Sequence, residues 1–578
     1  MKKINLTIDG HSVTVPADFT VLQAARELKI NIPTLCFLKE INEIGACRMC
    51  LVEVKGARSL QASCMLPVSE GMEVKTNTAH LRKTRRTLLE LILSNHNREC
   101  TTCHRNSNCE LQVLAEELGI REIRYPGESP QFETDELSPS IVRDPSKCIL
   151  CRRCVAVCHK VQQVGVIQAT ERGFDTKVEP AFNLSLDQVP CINCGQCIQA
   201  CPVAALREKD DTDKVWEALD NPDLHVVVQT APAVRVALGE EFGLPSGTIV
   251  TGKMVTALKN LGFAKVFDTD FAADLTIMEE GHELLGRLEA GGNLPLITSC
   301  SPGWVKFLEH YYPDFIDNLS TCKSPQQMMG AILKSYYAKQ AGVDPEKVYV
   351  VSVMPCIAKK FEANRPELNH DGLKDVDAVI STRELAQMIK QAGLKFNRLP
   401  DSEYDNPLGE STGAAVIFGT TGGVMEAALR TVVEVVTGKK QEEIEYEAVR
   451  GLEGVKEVAL PVGDITVKAA IVHGTGNARK LLEKIKAGEA QYHFVEVMAC
   501  PGGCVNGGGQ PIRTAVEKDA TDFRAVRAEG IYKDDKQSKL RKSHQNPAVQ
   551  KLYKEYLDKP NSELAHKLLH THYTKREQ

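Results

Sequence analysis

The sequence has no long hydrophobic run and no strong excess of charge. No stretch of about 18 apolar residues, the length that a membrane helix needs, occurs among its 578 residues. The opening MKKINLTIDG alternates polar and apolar residues and has no continuous hydrophobic segment of the signal-peptide kind. Lysine and arginine number 70 against 76 acidic residues, a net charge of −6, which gives no basic surface for nucleic acid. We therefore expect a cytoplasmic protein without a membrane span.

The sequence also has no Rossmann glycine fingerprint and no flavin motif, so any nicotinamide chemistry would need a partner. Cysteine, in contrast, is abundant. Of 20 cysteines, 15 lie between Cys36 and Cys201. Disulfides are rare in a reducing compartment, so this density favours metal binding or redox chemistry. The chain length predicts several domains.

Residues 1–16 read as a β-hairpin with a turn at Asp9-Gly10, and residues 20–30 as a helix capped by Thr20. A hairpin, a helix and then a cysteine-bearing loop suit a β-grasp ferredoxin domain over residues 1–79. Its four cysteines predict a 2Fe–2S site, with zinc as the alternative. They are Cys36, Cys47, Cys50 and Cys64.

Residues 80–125 contain a predicted helix that leads to one histidine and three cysteines. Their spacing alone fits a zinc site and a 4Fe–4S site equally well. Iron–sulfur is favoured because a redox-inert ion between other clusters would interrupt electron transfer. The four residues are His96, Cys100, Cys103 and Cys109.

Residues 138–208 contain C-x2-C-x2-C-x3-C twice, the spacing of bacterial two-cluster ferredoxins. In this motif the fourth cysteine of each run binds the cluster of the other run, and a pair of zinc knuckles is the weaker alternative. One predicted 4Fe–4S site therefore takes Cys148, Cys151, Cys154 and Cys201. The other takes Cys191, Cys194, Cys197 and Cys158.

From residue 209 to 525, apolar runs alternate with helical segments, which predicts a large α/β domain. The predicted strands include HVVVQTAP, KVYVVSVMP, AAVIFG and AAIVHG. A charged helical tail follows over 526–578. The fold class is therefore multidomain, with α+β cluster domains ahead of an α/β domain.

Three segments of the α/β domain carry its chemistry: TSCSPGW (298–304), MPCIAKKFE (354–362) and EVMACPGGCVNGGGQP (496–511). With these segments and the N-terminal cysteine series, the whole chain resembles the iron-only (FeFe) hydrogenases in their long form. The resemblance implies reversible reduction of protons to H2 at an H-cluster. This cofactor is a 4Fe–4S cubane joined by a cysteine to a two-iron unit with CO, cyanide and a dithiolate.

The resemblance also implies roles for individual residues. Cys356, Cys500 and Cys504 match cubane ligands, and Lys359 matches the lysine that holds a cyanide ligand. The positions expected around the two-iron unit are Pro232, Ala233, Gln326, Met354, Phe418 and Met498. Ala233 stands where some relatives have serine, which removes a hydrogen bond of the kind that tunes a metal site.

Protons need a separate route. Glu280, Glu283 and Arg287 are spaced to share one face of a helix. The default interpretation of such residues is a solvated charged face. The resemblance implies instead a proton path that includes Ser320 and the thiol of Cys300.

The first motif departs from the family pattern. The family has two adjacent cysteines, a proton relay and then the fourth cubane ligand, whereas this chain has Cys300 followed by Ser301. Cys322, close to Ser320 and Gln326 in the sequence, is predicted to be the fourth ligand. Ligation by Ser301, exchanged roles with Cys300 and an inert buried Cys322 are the alternatives.

We expect electrons to come from ferredoxin or from a flavoprotein or NADH-binding subunit of a larger complex. Maturation proteins are needed to insert the two-iron unit. A non-catalytic hydrogen sensor or an iron–sulfur assembly protein is the competing functional class, although the assembly proteins lack the lysine of MPCxxK.

Overall fold

The computed structural model describes residues 2–128, 131–441, 444–462 and 465–576. The predicted hairpin is present, with Ile4 opposite Val15 in an antiparallel pair. Helix Val21–Glu27 begins after Thr20, whose hydroxyl accepts the Gln23 N–H in a capping box. This part of the chain forms a five-stranded mixed sheet, as expected of a β-grasp. The strand order is His11–Pro16, Lys3–Ile8, Glu73–Lys75, Leu51–Val54 and Gln61–Ala62.

The next two cluster regions are short helices and loops packed on one hydrophobic core. Helix Ala79–Ser94 inserts Leu89 and Leu93 into this core, and helix Glu110–Glu117 contributes Leu111. The ferredoxin-like region is closed by an antiparallel pair of strands. Its elements are strands Ile141–Arg143, Gln168–Thr170, Lys177–Glu179 and Leu206–Glu208, and helices Arg153–Ala156 and Gln196–Ala200.

Two four-stranded sheets form the centre of the large α/β domain. The first is entirely parallel, in the order Lys265–Asp268, His225–Thr230, Val348–Met354 and Ala378–Ser381. The second has the order Leu296–Ile297, Phe494–Met498, Ile465–His473 and Val455–Val462, of which the last pair is antiparallel. Their strands are rich in valine and isoleucine because both faces are covered.

Helices cover both sheets. Those of eight or more residues are Thr212–Asp220, Thr251–Asn260, Thr269–Ala290, Pro302–Tyr311, Pro325–Ile332, Thr382–Gln391, Gly423–Thr437 and Thr475–Lys486. Shorter ones are Ala338–Ala341, Ala358–Glu362 and Gly413–Val416. The last contradicts the predicted strand at AAVIFG. This run is buried as a short helix and a 3-10 turn, and a brief apolar run does not distinguish a buried helix from a strand.

The C-terminal tail wraps around helix Thr269–Ala290. Its own helices are Ala515–Ala520, Phe523–Gln537, Pro547–Leu552 and Glu563–Leu569, the second of which crosses the predicted boundary at 526. Asn546 Nδ2 donates to Asp274 of the long helix at 2.9 Å, and Tyr553 donates to Glu279. Residues 577 and 578 of the predicted tail lie outside the described residues. Across the described ranges, no helix combines the length and apolarity that crossing a bilayer would need.

Candidate active site

The three motifs meet because each follows the carboxyl end of a parallel strand. TSCSPGW follows strand Leu296–Ile297, and MPCIAKKFE begins at the last residue of strand Val348–Met354. The cysteines of the third motif follow strand Phe494–Met498. The carboxyl ends of parallel strands are the usual place for ligand sites in α/β folds. Tertiary structure thus joins segments about 50 and 150 residues apart into one site.

A cavity lined mainly by apolar side chains, with a few polar groups, lies where the motifs meet. Five of the six predicted cofactor-binding residues line it: Pro232, Gln326, Met354, Phe418 and Met498. Ala233 is buried and is not among the lining residues. Its carbonyl accepts a hydrogen bond of 2.9 Å from Gln510 Nε2. Ala233 therefore lies behind the lining residues, and the expected direct contact with the cofactor is not seen.

The thiols of Cys356, Cys500 and Cys504 lie together beside this cavity. Burial is the main cause, and the charge of the neighbouring Cys356 the second, of the rise in the pKa of Cys504 to about 12. Gly503 has φ +91°, and a Cβ atom there would come within 2.6 Å of the Thr421 nitrogen. Only glycine permits this close turn between the last two cysteines. Three neighbouring thiols that carry no mutual disulfide fit the ligand set of an iron–sulfur cubane.

The candidates for the fourth cubane ligand lie in different places: Cys300 and Ser301 both line the cavity, whereas Cys322 does not. The Ser301 hydroxyl accepts the backbone N–H of Ala499 at 3.2 Å, directly before Cys500, and Ser301 lines the same cavity as Cys356 and Cys504. Cys322 is absent from that lining. The cavity lining therefore favours Ser301 or Cys300 over Cys322, and the identity of the fourth ligand stays a prediction. Cys322 lies two residues beyond Ser320, on the far side of the proton-path residues, with its Sγ 3.9 Å from Glu283 Oε2.

Lys359 points into the cavity region and is held in place by groups on two motifs. Its Nζ donates to the Cys300 carbonyl at 3.1 Å and to Glu362 Oε2 at 2.9 Å. Glu362 also accepts from Ser324 at 2.9 Å and from Gln326 Nε2 at 3.0 Å. Glu362 has the role of orienting the lysine. The sequence reasoning missed it, although it is the last residue of the quoted MPCIAKKFE motif.

Gln326 provides a further test of whether the cavity suits a polar cofactor. Its Nε2 donates a hydrogen bond to Glu362, whereas its Oε1 is buried and has no hydrogen-bond partner in the described part of the chain. A buried polar atom of this kind calls for a partner that is not part of the protein. Together with a buried lysine and three thiols, it fits a cofactor that carries both metal and polar ligands.

The predicted proton-path residues are contiguous. Glu283 Oε2 accepts from Ser320 Oγ at 2.9 Å, and its Oε1 accepts from Arg287 Nη2 at 2.6 Å. Burial, and then the charge of Glu283, raise the pKa of Glu280 to about 8. Burial, and then Glu280, raise the pKa of the Cys300 thiol well above its usual range. The helix thus places its two carboxyl groups between the cavity and the Arg287 end, as its spacing indicated.

Glu496 is a second residue that the sequence reasoning missed. Its buried carboxylate accepts the backbone N–H groups of Gly422 at 2.6 Å and Met425 at 2.8 Å. It therefore fixes the start of helix Gly423–Thr437, just after Phe418, against the strand of the third motif. Burial raises the pKa of Glu496 to about 7. Its place as the first residue of EVMACPGGC was the available signal.

The cysteine-rich part of the chain brings its predicted quartets together. One cavity is lined by Cys148, Cys151, Cys154 and Cys201, and a second by Cys158, Cys191, Cys194 and Cys197. The exchange of the fourth cysteine between the two runs is therefore present in the structure.

The other two predicted sites are also assembled in the structure. Cys50 and Cys64 have their Sγ atoms 3.3 Å apart, and a hydrogen bond from Cys36 lowers the pKa of Cys47 to about 6. His96 is buried, and its Nδ1 has no hydrogen-bond partner within the described ranges. The nearby Cys103 N–H donates to the Cys100 carbonyl at 3.1 Å, which folds those two cysteines into one turn.

Direct contacts connect the cysteine sites with one another. Asn42 Nδ2 donates to the carbonyls of Cys36 at 2.7 Å and Cys151 at 3.0 Å. Arg105, between Cys103 and Cys109, donates to the Cys201 carbonyl at 3.3 Å. The 2Fe–2S quartet and the histidine site therefore both adjoin the same ferredoxin quartet. The arrangement branches, where the sequence suggested a simple series.

The second ferredoxin quartet adjoins the cavity of the α/β domain. Cys500 Sγ lies 3.9 Å from the Cys194 carbonyl. Gly508 permits this approach, because a Cβ atom there would come within 2.5 Å of the same carbonyl. Gln196 Nε2 donates across the boundary to the Asn506 carbonyl at 2.8 Å. Four cysteine sites that lead to one cysteine-lined cavity define the class of iron–sulfur oxidoreductases.

Comparisons with known protein families agree with this class and narrow it. Residues 224–508 match the C-terminal domain of the iron-only hydrogenase large subunit, and residues 521–576 match the iron hydrogenase small subunit. The N-terminal matches are a 2Fe–2S cluster binding domain (1–79), the NADH-ubiquinone oxidoreductase-G iron-sulfur binding region (85–124) and a 4Fe–4S dicluster domain (147–205).

Individual relatives match over the full length. The chain is 51% identical to the NADP-reducing hydrogenase subunit HndD of Solidesulfovibrio fructosivorans, with 100% of both chains covered. It is 44% identical to iron hydrogenase 1 of Clostridium pasteurianum, over 99% of this chain and all of the relative. A solved structure of the FeFe-hydrogenase HydA1 from Chlamydomonas reinhardtii superposes with a TM-score of 0.57 and 43% identity, covering 64% of this chain and 99% of that one.

The chain belongs to the iron-only hydrogenases. It is a hydrogenase that carries N-terminal iron–sulfur domains, and the predicted enzyme function is confirmed over the non-catalytic alternative.

Proposed function

We propose that this chain interconverts protons and H2 at an H-cluster held in the cavity between the two sheets. The convergence of Cys356, Cys500, Cys504 and Lys359 on that cavity carries the proposal. The cofactor, when bound, supplies iron sites for redox chemistry on hydrogen, with CO, cyanide and a dithiolate as its non-protein ligands. Ser301 provides the fourth protein ligand of the cubane, since its hydroxyl lies next to Cys500 and lines the same cavity.

The residues around the cavity position and shield the two-iron unit. Lys359, oriented by Glu362, supplies a positive donor for an anionic ligand in a site with little water. Met354, Met498 and Phe418 give the unit apolar surroundings. Cys504, which lines the cavity, would hold the cubane on the side of the two-iron unit.

Protons travel along the long helix between the cavity and solvent. The Cys300 thiol, which lines the cavity, exchanges protons with Glu280, and Ser320 connects Glu280 with Glu283. Arg287 holds Glu283 in position through the hydrogen bond at 2.6 Å. Each relay group can both give and accept a proton, as such a path needs.

Electrons reach the cavity through the four accessory sites: one 2Fe–2S cluster and three 4Fe–4S clusters. The first quartet and the histidine site would hold the two entrance clusters, both adjoining the Cys148 quartet, and the Cys191 quartet would hold the cluster next to the cavity, beside Cys500. Two entrances suit a chain that accepts electrons from more than one carrier. A flavoprotein or NADH-binding subunit is one partner class, and ferredoxin is the other.

The NADP-reducing description of the Solidesulfovibrio relative favours the complex-bound arrangement. The chain itself has no nicotinamide fingerprint, so a partner subunit would bind that cofactor. Co-purification of a flavoprotein, with nicotinamide-linked H2 turnover only in its presence, would support this arrangement. Full turnover with ferredoxin alone would contradict it.

The decisive experiment is infrared spectroscopy of the protein after treatment with the maturation proteins, together with an H2 evolution assay. We expect bands of bound CO and cyanide and H2 release driven by a reduced viologen. A matured protein that contains its full iron complement but lacks both the bands and H2 release would overturn the proposal.

A further inference from the structure

A cysteine, a histidine and a glutamate meet outside the cavity, at the outer end of the proton path. One ligand atom from each of Glu283, Cys322 and His570 lies within 4.8 Å of the other two. Cys322 is fully buried and His570 is 8% exposed. The catalytic mechanism uses only Glu283 of the three, which leaves the cysteine and the histidine without a role.

The fold brings these residues together through the C-terminal tail. The backbone around Cys322 pairs with that around His570 in a short antiparallel bridge. In this bridge Lys323 N–H donates to the Leu569 carbonyl, and Thr571 N–H donates to the Thr321 carbonyl, both at 2.7 Å. The tail thus contributes one side chain to a cluster whose other two belong to the α/β domain.

The donor set is that of a zinc-type cation. Thiolate, imidazole and carboxylate are the three ligand types that Zn²⁺ uses in proteins, and three protein ligands leave a fourth position open for an exchangeable group. Both nitrogens of the His570 ring have polar partners, so a cation bound at Nδ1 would replace Thr321 and keep the carboxylate of Glu279 at Nε2. The His570 Nε2 lies 3.1 Å from Glu279 Oε2 and its Nδ1 lies 2.8 Å from Thr321 Oγ1. A carboxylate behind a ligating histidine is the common support of zinc sites.

The charges at the cluster also suit a divalent cation. A thiolate and a carboxylate together balance its charge of +2, while Arg287 occupies the other oxygen of Glu283 at 2.6 Å. The Glu283 oxygen nearer the cluster is Oε2, which lies 3.9 Å from Cys322 Sγ and accepts the Thr321 N–H at 3.1 Å. The same Oε2 accepts the Ser320 hydroxyl at 2.9 Å. A cation bound to Oε2 would therefore compete with the link between Ser320 and Glu283.

We propose that Glu283, Cys322 and His570 form a binding site for Zn²⁺ or a similar divalent cation, whose occupation blocks proton transfer at Glu283. The binding site stands on the cluster geometry alone. The inhibitory effect rests on the proposed function, because it requires Glu283 to be part of the proton path.

The test compares zinc binding by matured holoenzymes. Wild type, Cys322→Ala, His570→Gln and His566→Gln are equilibrated anaerobically with Zn²⁺ and dialysed, and bound zinc is measured by mass spectrometry. His566 is the control, since it is an exposed histidine of helix Glu563–Leu569 whose ring packs on that of His570, with centroids 4.1 Å apart, without belonging to the cluster. We expect wild type and the control to bind one more zinc per chain than the two site variants. Equal amounts of bound zinc in all four proteins would mean that the zinc is an adventitious ion only, and this result would overturn the proposed site.

X-ray absorption at the zinc edge supplies a readout independent of turnover. Bound zinc should show one sulfur neighbour at about 2.3 Å, which the Cys322→Ala protein loses. His570→Gln keeps the experiment conclusive if the cysteine variant fails to fold. A bound zinc with only oxygen and nitrogen neighbours in wild type contradicts the assigned ligands.

Zinc should also inhibit H2 turnover in wild type and in the His566→Gln control. The concentration needed for half inhibition should rise about 10-fold or more in the two site variants, in keeping with the usual cost of disturbing a metal site. Zinc bound with its sulfur neighbour but without inhibition overturns the inhibitory role. The infrared bands of CO and cyanide, measured on the same samples, show separately whether the proposed H-cluster is present.

Discussion

In residues 36–201 the cysteines that share a site are mostly neighbours in the sequence, whereas in the α/β domain the site residues come from three distant segments. The quartet around Cys148 takes three members from one C-x2-C-x2-C run. The catalytic cavity instead combines Ser301, Cys356 and Cys504, each placed by a different strand. A site built from one loop depends on local spacing, while a site built from three strands depends on how the sheets pack.

In the proposed mechanism the two regions also carry different particles. The N-terminal region connects its sites through backbone carbonyls of cysteines, held by Asn42 and Arg105. The α/β domain connects its cavity with the surface through the carboxyl groups of Glu280 and Glu283. Electrons and protons therefore approach the cavity from different sides, and each route is open to a separate perturbation.

The largest effect should follow from removing a ligand on the catalytic side. Cys504→Ala should abolish H2 turnover, because the cubane would lose a ligand and its connection to the two-iron unit. Iron analysis and infrared spectroscopy should show intact accessory clusters without CO or cyanide bands. Cys322→Ala is the matched control and should keep those bands, since Cys322 lies outside the cavity lining. Normal turnover in Cys504→Ala would contradict the ligand assignment.

Removal of the proton route should be the next largest effect. Glu280→Gln should lower turnover at least about 100-fold, because an amide cannot relay a proton in the way a carboxyl group can. The infrared bands and the iron content should be unchanged, which would separate proton transfer from cofactor binding. Glu289→Gln, on the exposed part of the same helix, is the control and should be neutral. Equal rates in the two variants would remove Glu280 from the path.

Substitutions of Ser301 test whether this residue is a ligand of the catalytic cubane. Ser301→Ala should lower the iron content of the catalytic cubane and change its electron paramagnetic resonance signal, whereas Ser301→Cys should keep the cluster, because thiolate is the stronger ligand for iron. The accessory signals should be the same in both variants. An alanine variant with the wild-type iron content and catalytic signal would show that Ser301 is not a ligand.

The smallest of these effects concerns one electron entrance. Asn42→Ala leaves the carbonyls of Cys36 and Cys151 without their donor, at a cost of about 1–3 kcal/mol per buried unpaired group. Reduction through the 2Fe–2S site should slow by several-fold in rapid-mixing experiments, while the histidine entrance and viologen-driven turnover should be unaffected. Exposed Asn31→Ala is the control. A uniform slowing of both entrances would contradict the branched arrangement.

Much of the fold was predictable from local patterns. The Asp9-Gly10 hairpin and the helix after Thr20 follow from turn and capping residues, and both are confirmed. The predicted strand at AAVIFG was wrong, because the sequence of a short buried apolar run is the same kind of pattern in a helix and in a strand. Glu362 and Glu496 were missed because orienting residues act through partners that sequence spacing does not display.

The sequence by itself determined the accessory quartets, the three catalytic motifs and the helical face of Glu280, Glu283 and Arg287, because each depends on residues a few positions apart. Only the tertiary structure separates Ser301, which lines the cavity, from Cys322, which does not. Both lie near motif residues in the chain, but strand Leu296–Ile297 directs Ser301 to the cavity, while the bridge to His570 holds Cys322 beside Glu283. Which of two candidate ligands reaches a metal depends on the packing of distant elements, and local spacing carries no information about that packing.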